Sequence, residues 1–131
     1  MKTGSNDAYV LLVEDNPDIR ESLVTLLGMH GFRALATSSG AEALSRLKRG
    51  PQPFLILLDL TLPDMDGFGF REEQLRVPGC ASIPVAVISG DSTGGEQATG
   101  LGIDEFLRKP VDPDELVRLV ASHAERTASG D

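Results

Sequence analysis

Five short apolar runs alternate with helical patterns along this chain, and no other feature limits its fold so tightly. The runs occupy residues 9–13, 32–37, 54–58, 83–88 and 103–107. The longest are nearly unbroken Val, Ile and Leu, as in strands covered on both faces. The first run is followed by Asn16 and Pro17, a cap and a proline at the first helical position. Ile19, Leu23, Leu26 and Leu27 then recur at helical spacing until Gly28 and Gly31 end the pattern. Ser39 and Glu42 form a capping-box pattern that opens a second helix, carrying Leu44 and Leu47 inward. A third helix is predicted over 68–76 with Phe70 on its apolar side, and a weak fourth over 93–101. Gly94, Gly95 and Gly100 each lower the intrinsic stability of that fourth helix by up to about 1 kcal/mol. Asp112, Pro113, Asp114 and Glu115 cap a fifth, with Leu116, Leu119, Val120 and His123 on related faces. Such alternation specifies an α/β fold: a (βα)5 doubly wound parallel sheet with right-handed crossovers and helices on both faces. The 131 residues suffice for one such domain, 8–126, whose core needs neither disulfide nor metal. Residues 1–7 and 127–131 are expected to be a disordered leader and tail.

In an open parallel sheet, ligands bind outside the carboxyl ends of the strands. Asp59 stands at such an end, closing the apolar run 54–58 and opening the loop of Pro63, Asp64, Met65, Asp66 and Gly67. The first, fourth and fifth strands bring Glu14 with Asp15, Ser89, and Lys109 to the same edge. Clustered carboxylates repel one another and rise in pKa unless a cation is present. Oxygen-only ligands favour a hard ion such as Mg²⁺. The lysine supplies a point charge for an anion, and the hydroxyl a hydrogen bond. Around a carboxylate nucleophile these groups would stabilise a phosphoryl group in transfer.

Composition excludes several classes. Twelve basic against 20 acidic residues, net −8, leave no electrostatic footprint for nucleic acid or an anionic membrane. Cys80 is the sole cysteine, so there is no disulfide framework; it reads as a small, partly buried apolar residue. Residues 1–7 have no apolar core of a signal peptide, and no run reaches the length of about 18 apolar residues that spans a membrane. The expected location is cytoplasmic.

Four segments together carry a family resemblance: Val13-Glu14-Asp15-Asn16, Asp59 through Pro63-Asp64-Met65-Asp66-Gly67, Val87-Ile88-Ser89-Gly90, and Phe106-Leu107-Arg108-Lys109-Pro110. With them the chain resembles the receiver domain of bacterial two-component response regulators, from about Tyr9 to Ala124. The resemblance implies a flavodoxin-like sheet of strand order 2-1-3-4-5. It further implies that Asp59 accepts a phosphoryl group from a phosphohistidine of a sensor histidine kinase or histidine phosphotransfer protein. Asp15 and Asp59 would ligate Mg²⁺ with the backbone carbonyl of Thr61, Glu14 acting through water. Lys109 would pair with Asp59 or its phosphate, Ser89 would follow the phosphate, and Phe106 would be the rotating aromatic. Phosphorylation would repack 93–127 for a downstream protein target, and the face of the fourth helix, fifth strand and fifth helix is where a homodimer would form. A cis bond between Lys109 and Pro110 belongs to the same pattern. Two departures stand out: Gly90 where the family often has alanine, and Phe106 without a tyrosine hydroxyl. Thr61 and Asp91, two residues beyond Asp59 and Ser89, would tune attack of water on the phosphate, Asp91 either orienting or repelling that water.

Each residue alone has a plainer reading. Glu14 and Asp15 would be a solvated turn, Asp64 and Asp66 turn residues, and Gly67 a site of unusual backbone angle. Ser89 would be a strand-end hydroxyl, Lys109 a surface lysine and Phe106 a core aromatic. His30 and His123 read as helix-end or surface residues. A phosphatase with an aspartyl-phosphate intermediate is the rival function, but such enzymes place an acid two residues after the nucleophile, where this chain has Thr61. A pseudo-receiver acting as an interaction module without phosphate is disfavoured by the intact Glu14, Asp15, Asp59, Ser89 and Lys109. The reading is thus a switch that catalyses only its own phosphorylation and dephosphorylation. No helix-turn-helix or basic region is present, so direct DNA binding is not expected. Met1 and the short tail suit a stand-alone regulator better than a receiver piece of a longer regulator or hybrid kinase.

Overall fold

The computed structural model describes residues 8–128. The elements alternate throughout: β1 (Val10–Val13), α1 (Pro17–Met29), β2 (Ala34–Thr37), α2 (Gly40–Lys48), β3 (Leu55–Asp59), α3 (Gly67–Arg76), β4 (Val85–Ser89), α4 (Gly94–Gly100), β5 (Phe106–Arg108) and α5 (Pro113–Ala128). The five strands pair in parallel throughout and the order is β2-β1-β3-β4-β5, the flavodoxin-like order expected. Successive strand residues feed opposite faces. Leu11, Val13, Ile56, Leu58, Val85 and Val87 pack with residues of α2, α3 and α4. Val10, Leu12, Leu55, Leu57, Ala86 and Ile88 pack with Leu23 and Leu27 of α1 and Leu116 and Val120 of α5. Burial on both faces is why these strands read as continuous apolar runs. Leader residues 1–7 and tail residues 129–131 lie outside the described residues.

Every strand begins one to three residues inside its apolar run, and β2 and β5 do so for one reason. Phe32 and Ile103 were expected to begin strands, yet β2 starts at Ala34 and β5 at Phe106. Each instead closes the preceding helix. Gly31 and Gly102 take positive φ of 85° and 78°. Phe32 N–H then donates to Leu27 O and Gly31 N–H to Gly28 O; Ile103 N–H donates to Ala98 O and Gly102 N–H to Thr99 O. This double bond is a Schellman motif, and its outer residue is apolar because it packs back on the helix. At the far end, α5 runs on through Thr127, assigned to the tail by sequence, with the Thr127 hydroxyl donating to His123 O at 3.1 Å.

The start of α2 is closed from far away. Ser39 Oγ accepts from Glu42 N–H at 3.1 Å. Glu42 reaches past Ser39 and accepts from the N–H and hydroxyl of Ser38, so the reciprocal half of the capping box is displaced by one residue. The remaining donors, Gly40 N–H and Ala41 N–H, are taken by the carboxylate of Asp64 at 3.0 and 2.9 Å. Asp66 caps α3 through Gly69 N–H at 2.8 Å. Gly67 has no positive φ; a Cβ there would lie 2.6 Å from Leu60 Cδ2, so close packing and not backbone angle excludes a side chain. Cys80 is fully buried, more so than expected, which raises its thiol pKa.

The backbone N–H groups of Ala41 and Gly40 hold the Asp64 carboxyl below its ordinary range. A depressed folded pKa adds stability above the unfolded value, about 3.9, that is lost as pH falls through the folded value. Asp64→Ala should destabilise the domain by about 1 kcal/mol near neutrality, toward the low end for a cap because the carboxylate is exposed. The gap should narrow as pH falls below the ordinary carboxylate range, as followed by thermal melts across pH. An equal gap at neutral and low pH would contradict this role.

Candidate functional site

The parallel register sets the ends of β1, β3 and β4 side by side, with the loop after β5 beyond them. Glu14, Asp15, Asp59, Ser89 and Lys109 all come to this edge, as the sequence placed them. Asp59 ends β3, almost completely buried. Its Oδ1 accepts from Thr61 N–H at 3.0 Å, and its Oδ2 lies 3.4 Å from Lys109 Nζ. Lys109 is closer still to Glu14, at 3.0 Å from Oε1. One ammonium thus serves two buried carboxylates. Burial raises the pKa of Glu14, and its contacts with Lys109 and Asn16 offset this only in part. Burial presses the Lys109 pKa down, but Glu14 and Asp59 outweigh it and hold the ammonium above the ordinary lysine range.

Asp15, exposed, completes the acidic group: one carboxylate oxygen from each of Glu14, Asp15 and Asp59 lies within 4.8 Å of the others. Three acids against one lysine leave an excess of negative charge. Glu14 Oε1 is buried, and the partner it meets is the Lys109 ammonium that it shares with Asp59. An all-oxygen set with surplus negative charge suits a small hard divalent cation.

Ser89 ends β4, buried, and its Oγ accepts from Asp91 N–H at 3.0 Å. The Asp91 carboxylate is turned toward α4, where Oδ1 accepts from both the N–H and the hydroxyl of Thr93 at 2.9 Å. Those bonds lower its pKa. Thr61 is exposed beside Asp59. Phe106, half-buried on β5, packs against the start of α4: a Cβ on Gly94 would lie 2.7 Å from its Cε1 and 2.9 Å from Ser89 Cβ. The bond between Lys109 and Pro110 is cis.

Several participants escaped the sequence reading. His123 is not a surface residue: it is buried, with Nε2 2.6 Å from Glu105 Oε1, joining α5 to the residue before Phe106. A lone histidine on a helical face carries no sign of its partner 18 residues away. Arg20 Nη1 donates to the carbonyls of Glu14 and Asp15. His30, by contrast, is an exposed helix-end residue as read.

The response regulator receiver domain family model matches residues 10–121, and the chain belongs to that family. Receiver domains of this family are signalling switches and not classical enzymes. The transcriptional regulatory protein KdpE of Mycobacterium tuberculosis is 37% identical over 125 residues, covering 93% of this chain and 54% of that protein. A 14.6 kDa protein of Leptolyngbya boryana is 33% identical over 116 residues, covering 87% of this chain and 88% of its own length. The chain spans about half the length of most of the curated relatives it matches first. A CheY-like receiver domain from Methylobacillus flagellatus superposes with a TM-score of 0.77 at 30% identity, covering 88% of this chain and 98% of that one. The receiver domain of sensor histidine kinase PA1611 from Pseudomonas aeruginosa PAO1, with a magnesium ion coordinated in its active site cleft, gives 0.80 at 25% identity, covering 89% and 97%. Among the described residues no helix is long and apolar enough to cross a membrane.

The contact between Phe106 and Gly94 makes a paired prediction. Gly94→Ala should lower the melting temperature and shift the Phe106 ring resonances, because overpacking costs about 1–3 kcal/mol and exceeds the helix-propensity gain of about 1 kcal/mol. Gly95→Ala, whose Cβ would meet the ring at an ordinary 3.8 Å, should be neutral or stabilising. Equal behaviour of the two variants would refute the steric account.

Proposed function

We propose that this chain is a phosphorylation-controlled switch with Asp59 as its phosphoacceptor. The observation that carries the reading is a buried carboxylate at the end of a central strand, with Lys109 at 3.4 Å and the oxygens of Glu14 and Asp15 close by. A carboxylate oxygen of Asp59 attacks phosphorus; the O–P bond forms as the P–N bond of a donor phosphohistidine breaks, the electron pair leaving on the imidazole. The donor is a sensor histidine kinase or a histidine phosphotransfer protein. Thr61 N–H holds one oxygen of the nucleophile in place, and Lys109 meets the negative charge that gathers on the phosphoryl group. Asp15 and Asp59 would hold Mg²⁺ with the Thr61 carbonyl, Glu14 acting through water; bound there, it supplies positive charge against the phosphoryl oxygens. Return to the resting state is hydrolysis: water attacks phosphorus, the acyl-phosphate O–P bond breaks and inorganic phosphate leaves.

Ser89 supplies the link to the surface. Its Oγ is an acceptor for Asp91 N–H, which leaves the O–H proton available to a phosphoryl oxygen. Its movement toward phosphate would strip Asp91 N–H of its acceptor and shift the loop that caps α4. Phe106, resting on Gly94 beside Ser89, would follow. The altered surface over 93–127 would meet a downstream protein partner or a second copy of the chain. Since Asp91 is engaged with Thr93, exposed Thr61 is the residue left to set the access of water.

Incubation with Mg²⁺ and a small acyl phosphate should add one phosphoryl group, read as intact mass. Asp59→Asn or removal of Mg²⁺ with chelator should abolish the gain, and Lys109→Ala should reduce it at least tenfold, as loss of one charge-stabilising group does. No gain in the wild type, or an equal gain in Asp59→Asn, would sink the reading.

A further inference from the structure

Glu14 and Asp15 lie between β1 and α1 and belong to neither. Their backbone carbonyls therefore need donors from elsewhere. Arg20, one turn into α1, reaches back to supply them: Nη1 donates to Glu14 O at 2.9 Å and to Asp15 O at 3.2 Å. The same turn is held by Asn16 N–H on Glu14 Oε2 at 3.1 Å, and by Asn16 Oδ1 on the first amides of α1. The Asp15 side chain is exposed, so its backbone, more than packing, sets where its carboxylate stands. Both acids beside Asp59 are thus carried by two carbonyls that a single guanidinium grips.

We propose that Arg20 is a positioning residue for the reaction at Asp59, holding the backbone of Glu14 and Asp15 so that both carboxylates face it. This rests on the reading of the site as a Mg²⁺-dependent phosphoacceptor. Positioning and plain electrostatics make opposite demands. Removing a positive charge near an acidic cluster should by Coulomb's law tighten the binding of a cation. Loosening the backbone that carries the ligands should weaken it, and loss of groups that orient metal ligands typically costs 10–100-fold in affinity.

The test is an NMR titration of the backbone amides with Mg²⁺ alone, for the wild type, Arg20→Met and Arg20→Lys, with thermal melts alongside. Arg20→Met keeps the stem but removes charge and donors; Arg20→Lys keeps the charge but loses the planar fork. Arg20→Met should weaken Mg²⁺ binding about tenfold, at the low end of that range, with Arg20→Lys in between. With acyl phosphate, the half-saturating Mg²⁺ concentration should rise while the rate at saturating Mg²⁺ changes little. Unchanged or tighter binding in Arg20→Met overturns the role. If Arg20→Met does not fold, Arg20→Lys decides: weaker binding with charge retained supports the role, and wild-type affinity overturns it. A wild type that binds no Mg²⁺ overturns the reading of the site and this role with it; wild-type binding matched by both variants overturns the role alone.

Discussion

Glu14 and Asp59 are buried acids, and what makes their burial tolerable is the ammonium of Lys109 between them. Removing one partner of a buried charge group leaves an uncompensated charge, at a typical cost of about 3–5 kcal/mol. The three groups come from the loop after β1, the end of β3 and the loop after β5, so the compensation exists only when the sheet is assembled. Strand order explains the choice of side chain. β1 and β3 are neighbours, but β4 separates β3 from β5, and Lys109 must reach across the end of β4. Its backbone N–H is anchored there on Ser89 O at 3.0 Å. Lysine has the length for that reach and carries its charge at the tip.

The loops around this edge are held by closure of helix ends more than by apolar contact. Asp64 ties the loop after β3 to the start of α2, and Asp66 caps α3. Farther from the edge, buried Gln74 donates to Cys80 O and Ile83 O and accepts from Arg71, which also bonds Leu101 O. In this way α3, the end of α4 and the approach to β4 share one polar network. Apart from the side-chain pair Arg71–Gln74, each bond answers a backbone group that neither ladder nor helix satisfies. Side-chain bonds thus close loops at both edges of the sheet.

The loop after β4 and the helix that follows it are held more weakly. α4 has 7 residues, three of them glycine, and Thr93 at its start makes no side-chain cap. Its entry is held by Asp91, whose N–H rests on the Ser89 hydroxyl and whose carboxylate grips Thr93. A helix with poor intrinsic stability is the element of least cost to rearrange. It is coupled to the site at two points, the Ser89 hydroxyl and the Phe106 ring, and both converge on Gly94.

Much of this was legible in the residue order. The alternation of apolar runs and caps specified the doubly wound sheet, and strand-end position alone assembled Asp59, Glu14, Asp15, Ser89 and Lys109, because a parallel sheet sends all its strand ends to one edge. Local periodicity could not tell a strand's first residue from the apolar residue that closes a Schellman motif, so Phe32 and Ile103 were misplaced: both are hydrophobic residues just before a strand. Nor could it show that Lys109 is nearer Glu14 than Asp59, that Asp64 caps a helix 24 residues earlier, or that His123 meets Glu105. What the sequence determined by itself is what local pattern encodes: element type, order, and which residues stand at strand ends. Only the tertiary structure decided which charge compensates which, and which backbone groups distant side chains satisfy. Those pairings depend on distances between segments remote in sequence, and such distances exist only once the sheet has closed.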